Sequence, residues 1–404
     1  MNKINILITS IILLIAINDA LPCTTAIISG KFTSDGRPLL WKNRDADEVN
    51  NKLMYFTDGK YTYIGLMNSN DITGNEVWIG MNSAGFAIMN SASYNLKMND
   101  TTKLSDREGI IIKMALQQCA SLEDFENMMN SLPKPWGLEA NFGIIDANGG
   151  GAYYETSNRN FKKFDVNDIN SAPRGYLLRT NFSFSGETDK GQGYERYDMA
   201  EELFSDASSK SNLSYQFILK EGARCLKHGL TKVDLSNEIS DNAENVKFVS
   251  FTDFIPRYST SASIVIQGVK VNQPANLMTM WTVLGFPLCS VVYPVWLNDR
   301  HELPSLLKAD ETGKAPLCTM ALQLKDKCFP VIRGRGTNYI NINALINKDN
   351  SGIYQKLQLT EADIFSISGK FISKMINGKT SSEDIIKFYN DMDEKISATF
   401  IKMK

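Results

Sequence analysis

The chain has 404 residues, of which 43% are hydrophobic and 22% are charged, a balance typical of a globular protein that buries a substantial core. Its 43 basic and 45 acidic side chains give a formal net charge of −2, so no strong field attracts nucleic acid or an anionic membrane surface. These values exclude a disordered protein and a nucleic-acid-binding protein, and they favour a small-molecule substrate.

The N-terminal segment has the layout of a secretory signal. Lys3 precedes an apolar run over residues 6–17, which is followed by the short exit Asp19-Ala-Leu-Pro. The run is too short to cross a bilayer as a permanent helix. We therefore predict that residues 1–22 are removed as a signal or pro-peptide. The mature protein is then secreted or periplasmic, with no permanent transmembrane segment.

Residues 23–132 predict a group of strands followed by two helices. Short apolar runs separated by glycine-containing turns indicate an antiparallel meander. The runs cover residues 24–30, 38–43, 54–57, 61–66, 77–81 and 86–90. Helices are predicted from about 107 to 119 and then to 132, because Ser121-Leu-Glu-Asp124 is a capping box and Pro133 stops the second helix.

The rest of the chain repeats this order of strands and helices. Strands are predicted at 142–147, 152–156, 161–164 and 176–181, a helical block at 195–227, and further strands at 262–271, 277–284 and 289–293. Two last helices follow Thr360-Glu-Ala-Asp363 and Ser381-Ser-Glu-Asp384. This succession predicts an α+β fold, an αββα four-layer sandwich of two antiparallel sheets. Because no linker divides the chain, we expect residues 23–404 to form one domain that ends in helices.

The six cysteines indicate neither a metal site nor a cofactor. They stand at positions 23, 119, 225, 289, 318 and 328, without a C-x-x-C motif or a histidine at metal-ligand spacing. If Cys23 stays free, at most two disulfides fit, and Cys318 and Cys328 are the pair closest in sequence. The alternative is that most of these cysteines are buried apolar thiols.

Removal of residues 1–22 would make Cys23 the first residue of the chain. A terminal cysteine carries a thiol and an α-amine, and the amine, with a reference pKa of roughly 7.7–8, can take the proton of a thiol near 8.5. The only two histidines, His228 and His301, have polar neighbours typical of surface turns, so a separate Cys-His pair is not expected. A protein with lipid on Cys23 is the alternative from another class.

Several short motifs follow one another between residue 23 and about residue 296. They are Cys23 at the start of an apolar strand, Ser34-Asp-Gly36, Lys42-Asn-Arg-Asp45, Gly80-Met-Asn-Ser-Ala-Gly85 followed by Asn90, Arg179-Thr-Asn181 and Pro256-Arg-Tyr-Ser-Thr260. In this order and spacing they resemble the choloylglycine hydrolase and penicillin V acylase family and the related acyl-coenzyme A:6-aminopenicillanate acyltransferases. The resemblance implies an N-terminal-nucleophile (Ntn) hydrolase, whose fold is the αββα sandwich.

The resemblance assigns the first part of a catalytic site. Cys23 matches the nucleophile, and Asp45 matches the aspartate that contacts the α-amine in the family; a turn aspartate is the alternative. The family usually has arginine three residues before this aspartate, where this chain has Lys42. Arg44 is the alternative cation at this place, and either could lower the pKa of a thiol.

Asparagines and a late arginine complete the implied site. Asn181 matches the oxyanion asparagine, although Asn181-Phe-Ser is also a glycosylation sequon. Asn90 matches a second site residue, with Asn82 and Asn95 as alternatives because the match needs a small gap. Arg257 matches the family's arginine near the nucleophile, and a surface salt bridge is its alternative role.

The function implied is hydrolysis of a linear carbon–nitrogen amide through an acyl-enzyme on Cys23, without a cofactor. The alternative within the same chemistry is transfer of the acyl group to an amine, and the alternative from another class is a lipid-anchored binding protein. The partner implied is a small-molecule amide. A homo-oligomer is also compatible with the resemblance, since relatives are often tetramers.

Overall fold

The computed structural model of the protein describes residues 23–97, 100–102, 104–242 and 244–403, so the predicted signal segment 1–22 lies outside the described residues. Two large antiparallel sheets form its centre. The six-stranded sheet has the spatial order β10 (Tyr176–Arg179), β1 (Thr24–Ile28), β2 (Leu39–Asp45), β12 (Thr260–Gln267), β13 (Thr279–Leu284) and β14 (Tyr293–Val295). The seven-stranded sheet has the order β3 (Asn51–Phe56), β4 (Tyr63–Asn68), β5 (Ile79–Asn82), β6 (Ala87–Ala92), β7 (Ala140–Ile145), β8 (Gly151–Thr156) and β9 (Phe161–Asp165). A small separate pair joins β11 (Phe248–Ser250) and β15 (Tyr339–Asn341).

Helices cover the outer face of each large sheet. They are α1 (Glu108–Gln118), α2 (Leu122–Ser131), α3 (Tyr194–Ser209), α4 (Tyr215–Phe217), α5 (Pro316–Cys328), α6 (Ile342–Leu345), α7 (Ile353–Ile376) and α8 (Ser382–Ile401). Helices α1 and α2 share an apolar core with the seven-stranded sheet, whereas α3, α5, α7 and α8 pack on the side of the six-stranded sheet. The predicted α+β sandwich of two antiparallel sheets, in the order αββα, is therefore confirmed. Among the described residues no helix has the length and apolarity needed to cross a membrane.

The two sheets approach each other closely at β1. Ile27 projects from β1 towards the second sheet, and a Cβ added to Gly151 on β8 would lie 3.3 Å from its Cγ2 atom. Alternate residues of a strand point to opposite faces, so Cys23 and Thr25 share the inner face with Ile27. The Tyr153 hydroxyl, on β8, donates to Thr25 Oγ1 at 2.8 Å. The strand β1 thus presents Cys23 between the sheets, at one end of the sandwich.

Several predicted elements differ from the structure. The helix α5 was not predicted, because its N-cap residue, Ala315, makes no capping hydrogen bond. Residues 360–363 do not start a helix but lie inside α7, where the Thr360 hydroxyl contacts Thr399 on α8 at 3.0 Å. The helical block predicted at 195–227 is interrupted after Ser209. The strand predicted at 289–293 begins only at Tyr293.

Candidate active site

Cys23 lies directly before β1 and is almost fully buried. In the antiparallel register Thr24 pairs with Asn43 on β2, so Cys23 stands opposite Arg44. On the other side Thr25 pairs with Arg179 on β10, which places Cys23 opposite Asn181 just beyond that strand. Residues far apart in sequence therefore meet at Cys23, directly before β1.

Lys42 is a buried cation on the face of β2 that points towards the second sheet. Its Nζ donates to Asn90 Oδ1 on β6 at 2.6 Å and to the backbone carbonyl of Trp78 at 3.1 Å. Burial lowers the pKa of Lys42 to about 8, an effect that nearby Cys23 opposes. Both hydrogen-bond acceptors are neutral, so the charge of Lys42 is available to act on anionic groups near the thiol.

Arg44 also lies on this face of β2, and its guanidinium is held by neutral groups. The Nη1 atom donates to Asn51 Oδ1 at 2.6 Å and Nη2 donates to Asn68 Oδ1 at 2.8 Å. The guanidinium is stacked 4.9 Å from the centre of the Trp78 ring. Burial lowers the pKa of Arg44 to about 10, and Cys23 opposes this shift. Arg44 therefore adds a second buried positive charge beside Cys23.

The Asp45 carboxylate binds residues at the start of β12. It accepts from Arg257 Nε at 2.9 Å and from the Thr260 hydroxyl at 2.6 Å. Burial raises the pKa of Asp45, against the effects of Arg257 and Arg196. Within the described part of the chain no hydrogen bond joins this carboxylate to Cys23. Its contact with a free α-amine stays a prediction for a chain that begins at Cys23.

Asn181 is completely buried at the end of β10. Its Nδ2 donates to the carbonyl oxygen of Ala92, at the end of β6, at 2.9 Å. Its Oδ1 accepts from Arg196 Nη2 at 2.9 Å. Because an arginine can only donate, the orientation of this amide is fixed. One hydrogen of Nδ2 remains without a partner among the described residues, and the strand register places Asn181 opposite Cys23.

Arg196, on α3, was not recognised in the sequence although it connects the parts of the site. Its Nη1 donates to the carbonyl oxygen of Cys23 at 2.5 Å and to Thr24 Oγ1 at 3.0 Å. Burial lowers its pKa to about 10; Arg257 lowers the pKa further, while Asp45 and Cys23 raise it.

Gly193 is the residue in the sequence that could have indicated the buried position of Arg196. A Cβ atom there would lie only 2.0 Å from Arg196 Nη2, and its φ of +80° favours glycine. A glycine directly before a helix is therefore consistent with a buried side chain from the first turn of that helix packing against it.

The two alternatives to Asn90 have structural roles. Asn82 Nδ2 donates to the carbonyl oxygens of Leu116 and Cys119 at the end of α1. Asn95 Nδ2 donates to the carbonyl oxygens of Ser183 and Glu187 and so supports the loop after Asn181. Among the described residues neither asparagine has a hydrogen bond to Lys42 or Arg196, whereas Asn90 accepts one from Lys42. The geometry thus favours Asn90 over both alternatives.

His228 is buried, which contradicts the predicted surface position. Its Nδ1 accepts from the backbone N–H groups of Leu230 and Thr231, and its ring packs edge-on against Phe254. These hydrogen bonds close a turn. The polar neighbours of His228 predicted the turn correctly, but they did not show that the histidine itself is buried. His301 is exposed, as predicted.

Glu108, the first residue of α1, is a buried carboxyl close to the site. It acts on the pKa of both Lys42 and Tyr94. Burial raises the pKa of Glu108 to about 7, and Oε1 accepts from the Glu139 N–H at 3.4 Å. At neutral pH this carboxyl is therefore partly protonated.

We expect Glu108 to make folding pH-dependent. A carboxyl with a raised pKa contributes stability below its ordinary pKa, and this contribution is lost as the pH rises through about 7. Glu108→Gln keeps the acceptor oxygen but cannot ionise. The difference in free energy of unfolding between this variant and the wild type should increase in favour of the variant, by up to about 3 kcal/mol, as the pH rises from 4.5 to 8. Urea unfolding at both pH values measures this gain, and an equal difference at both would contradict the expectation.

Comparisons with known proteins give one family match and several distant structural similarities. The family model described as acyl-coenzyme A:6-aminopenicillanic acid acyl-transferase matches residues 32–232, a range that excludes Cys23 and Arg257. No curated protein matches the chain.

Three solved structures illustrate the structural similarities. A Caenorhabditis elegans ortholog of N-acylethanolamine-hydrolyzing acid amidase is 16% identical, with a TM-score of 0.40, over 60% of this chain and 92% of that one. A mutant conjugated bile acid hydrolase from Clostridium perfringens is 12% identical, with a TM-score of 0.41, over 70% and 93%. Penicillin V acylase from Agrobacterium tumefaciens is 13% identical, with a TM-score of 0.37, over 68% and 86%.

Members of the matching family are enzymes that act as amide hydrolases or acyltransferases. The order of motifs, the αββα sandwich and the match over residues 32–232 agree with one another. Over residues 32–232, about half of its length, the chain matches the acyl-coenzyme A:6-aminopenicillanic acid acyltransferase family, a family of the Ntn-hydrolase superfamily.

Proposed function

We propose that the protein hydrolyses a linear carbon–nitrogen amide through an acyl-enzyme on Cys23, after removal of residues 1–22. The proposal rests on one observation above all. Two buried cations beside Cys23 hold the side-chain oxygens of two asparagines, since Arg196 binds Asn181 Oδ1 and Lys42 binds Asn90 Oδ1. Both amides therefore turn their NH2 groups away from the cations, as donors for an oxyanion require.

The reaction follows from these groups in two halves. In the first, the α-amine of Cys23 takes the thiol proton, and the sulfur attacks the amide carbon. The Nδ2 atoms of Asn181 and Asn90 donate to the oxyanion that forms. The α-ammonium then gives its proton to the leaving amine, and a thioester remains on Cys23. In the second half the amine takes a proton from water, which attacks the thioester and releases the acid.

Positive charge around Cys23 supports both anionic species of this reaction. Lys42 and Arg44 lie on the inner side of β2, and within the described residues their side-chain hydrogen bonds go to neutral acceptors. Arg196 lies on the other side and Arg257 pairs with Asp45. A thiolate and an oxyanion are both stabilised by such buried, pre-oriented cations.

Acyl transfer to an amine is the second candidate, because the matching family model carries the name of an acyltransferase. The two reactions share the thioester on Cys23 and differ only in the molecule that attacks it. Secretion and oligomeric state stay predictions from the sequence.

A product analysis tests the proposal and separates the two candidates. The protein, prepared with Cys23 as first residue, is incubated with glycine-conjugated bile salts, penicillin V and N-acyl amino acids, with and without hydroxylamine. Equal amounts of acid and amine, with little hydroxamate, are expected of a hydrolase. Hydroxamate in place of acid would favour the acyltransferase. Absence of cleavage across a broad amide panel would contradict both. The amide that is cleaved fastest is called the reference amide.

We expect Arg196 to act as a positioning residue for Asn181. Arg196→Met leaves Asn181 Oδ1 unbound, so the amide can rotate and the oxyanion loses an oriented donor. The loss should fall on kcat, by about a hundredfold, with little change in KM. Because the effect acts through Asn181, it should shrink strongly when measured in an Asn181→Ala background. Steady-state kinetics on the reference amide measure this coupling in the wild type, the two single variants and the double variant.

Arg37→Met is the matched control for the loss of a buried arginine. Arg37 donates to backbone carbonyls of Gly268 and Leu277 at the opposite end of β2. Its replacement should lower the melting temperature without lowering kcat per folded molecule.

Guanidinium ion should partly restore kcat in an Arg196→Ala variant. Additive effects of Arg196→Met and Asn181→Ala would show that Arg196 does not act through Asn181.

A further inference from the structure

Two of the six cysteines lie side by side in the core. The Sγ atoms of Cys289 and Cys328 are 3.7 Å apart, and both side chains are completely buried. Cys289 ends a short 3-10 turn after β13, and Cys328 is the last residue of α5. The contact therefore joins the central sheet to a helix of the outer layer.

Two other buried thiols, Cys119 and Cys318, have different neighbours. The Cys119 sulfur contacts the Met128 sulfur, and Cys318 Sγ lies by the backbone carbonyl of Val49. Cys318 also precedes Cys328 by ten residues on the same helix, which separates them by about 15 Å along its axis. A disulfide requires Cα atoms within about 7 Å. The pairing of Cys318 with Cys328 considered from the sequence is therefore wrong.

We propose that Cys289 and Cys328 form a disulfide when the chain folds in the presence of a small-molecule disulfide. One thiolate attacks the oxidant and forms a mixed disulfide, and the second thiolate displaces the remaining thiol. The two cysteines lose two protons and two electrons, and the oxidant is reduced to two thiols. Closure of the bond requires the sulfurs, which lie 3.7 Å apart, to approach the S–S distance of about 2.05 Å.

The cross-link would anchor the end of α5 behind the candidate active site. Lys325, one turn before Cys328, donates to the carbonyl oxygen of Tyr258. The Tyr258 ring packs edge-on against Phe329, directly after Cys328. Tyr258 follows Arg257, whose guanidinium binds the Asp45 carboxylate. A fixed end of α5 thus supports the segment that carries Arg257, although the cross-link itself does not depend on the proposed reaction.

Peptide mapping tests the cross-link directly. The full-length protein is refolded with a mixture of reduced and oxidised glutathione, and its free thiols are then alkylated with iodoacetamide in denaturant. We expect a digest peptide that joins Cys289 to Cys328 and is split by dithiothreitol, with the other cysteines alkylated. Alkylation of all six cysteines, or a cross-link between any other pair, would overturn the proposal.

Melting temperatures provide a second readout that does not depend on the catalytic reaction. Dithiothreitol should lower the melting temperature of the oxidised wild type by several degrees, because the cross-link restricts the unfolded chain. Cys289→Ala and Cys328→Ala should lose this response. Cys318→Ala, on the same helix, should keep it. The same response in all three variants would contradict the assigned pair, even if one of them folds poorly.

Discussion

Replacement of Cys23 by alanine is expected to abolish amide turnover while the protein stays folded. The side chain lies directly before β1, is almost fully buried, and is surrounded by Lys42, Arg44 and Arg196. Alanine removes the attacking atom but none of the hydrogen bonds that Arg196 makes to the Cys23 carbonyl and to Thr24. Serine should lower kcat by at least about a thousandfold, since a hydroxyl is far less ionised than a thiol.

The matched control is Cys119→Ala, which removes a buried thiol at the end of α1. It should keep the kcat of the wild type, although its melting temperature should fall because a small cavity opens. Turnover of the reference amide and circular dichroism are measured for each variant. Unchanged turnover in Cys23→Ala would remove this residue as nucleophile and leave only its structural role.

A single extra residue before Cys23 should remove activity almost as completely. A peptide nitrogen has no basic lone pair at neutral pH, so it cannot take the thiol proton. The extended chain differs from the chain that begins at Cys23 by one residue, which converts the α-amine into a peptide nitrogen. The kcat/KM of the extended chain should be lower by at least about a thousandfold. The extension must resist aminopeptidases, and intact mass confirms that it is retained. Full activity of the extended protein would contradict the α-amine as base.

Histidine variants complete the comparison of possible bases. His301→Gln changes an exposed side chain, and His228→Asn keeps an acceptor oxygen for the backbone N–H groups that bind Nδ1. Because neither histidine contacts Cys23 in the described part of the chain, the double variant should keep kcat/KM within a few-fold. A folded but inactive double variant would favour a conventional cysteine–histidine mechanism instead.

Local patterns were sufficient to predict much of the fold. The first six strands are short apolar runs bounded by turns, and the Ser121 and Ser381 caps are visible in the sequence and present in the structure. By contrast, α5 has no cap residue, and Thr360 contacts a threonine on α8 instead of capping a helix. Both errors arise where tertiary packing, not a local signal, determines where a helix begins.

The order of strands was not available from local patterns. Strand β2 lies between β1, next to it in sequence, and β12, more than two hundred residues later. This arrangement brings Asp45 to Thr260 and Arg257. The resemblance supplied Asp45 and Arg257 as members of one site, but it assigned no role to Thr260 and did not show how the three side chains are arranged. Only the structure shows that the Asp45 carboxylate is already bound by both partners.

Arg196 shows the limit of reading a site from motifs. It lies in a helix whose charged residues appear ordinary for a solvent-exposed surface, yet its side chain is completely buried. Its role depends on three bonds to residues at positions 23, 24 and 181, which the sequence does not connect. A buried arginine of this kind becomes recognisable only when its acceptors are known.

An acyl-enzyme on Cys23 can be detected by mass spectrometry of an acid-quenched reaction. The protein beginning at Cys23 is mixed with excess reference amide and quenched within one turnover, and its N-terminal peptide is analysed. We expect the mass of the acyl group on Cys23 of the wild type, when the peptide is kept at acidic pH throughout, and no such mass in Cys23→Ala. Release of the amine with the acyl group on another residue, or equal labelling of Cys23→Ala, would contradict an acyl-enzyme on Cys23.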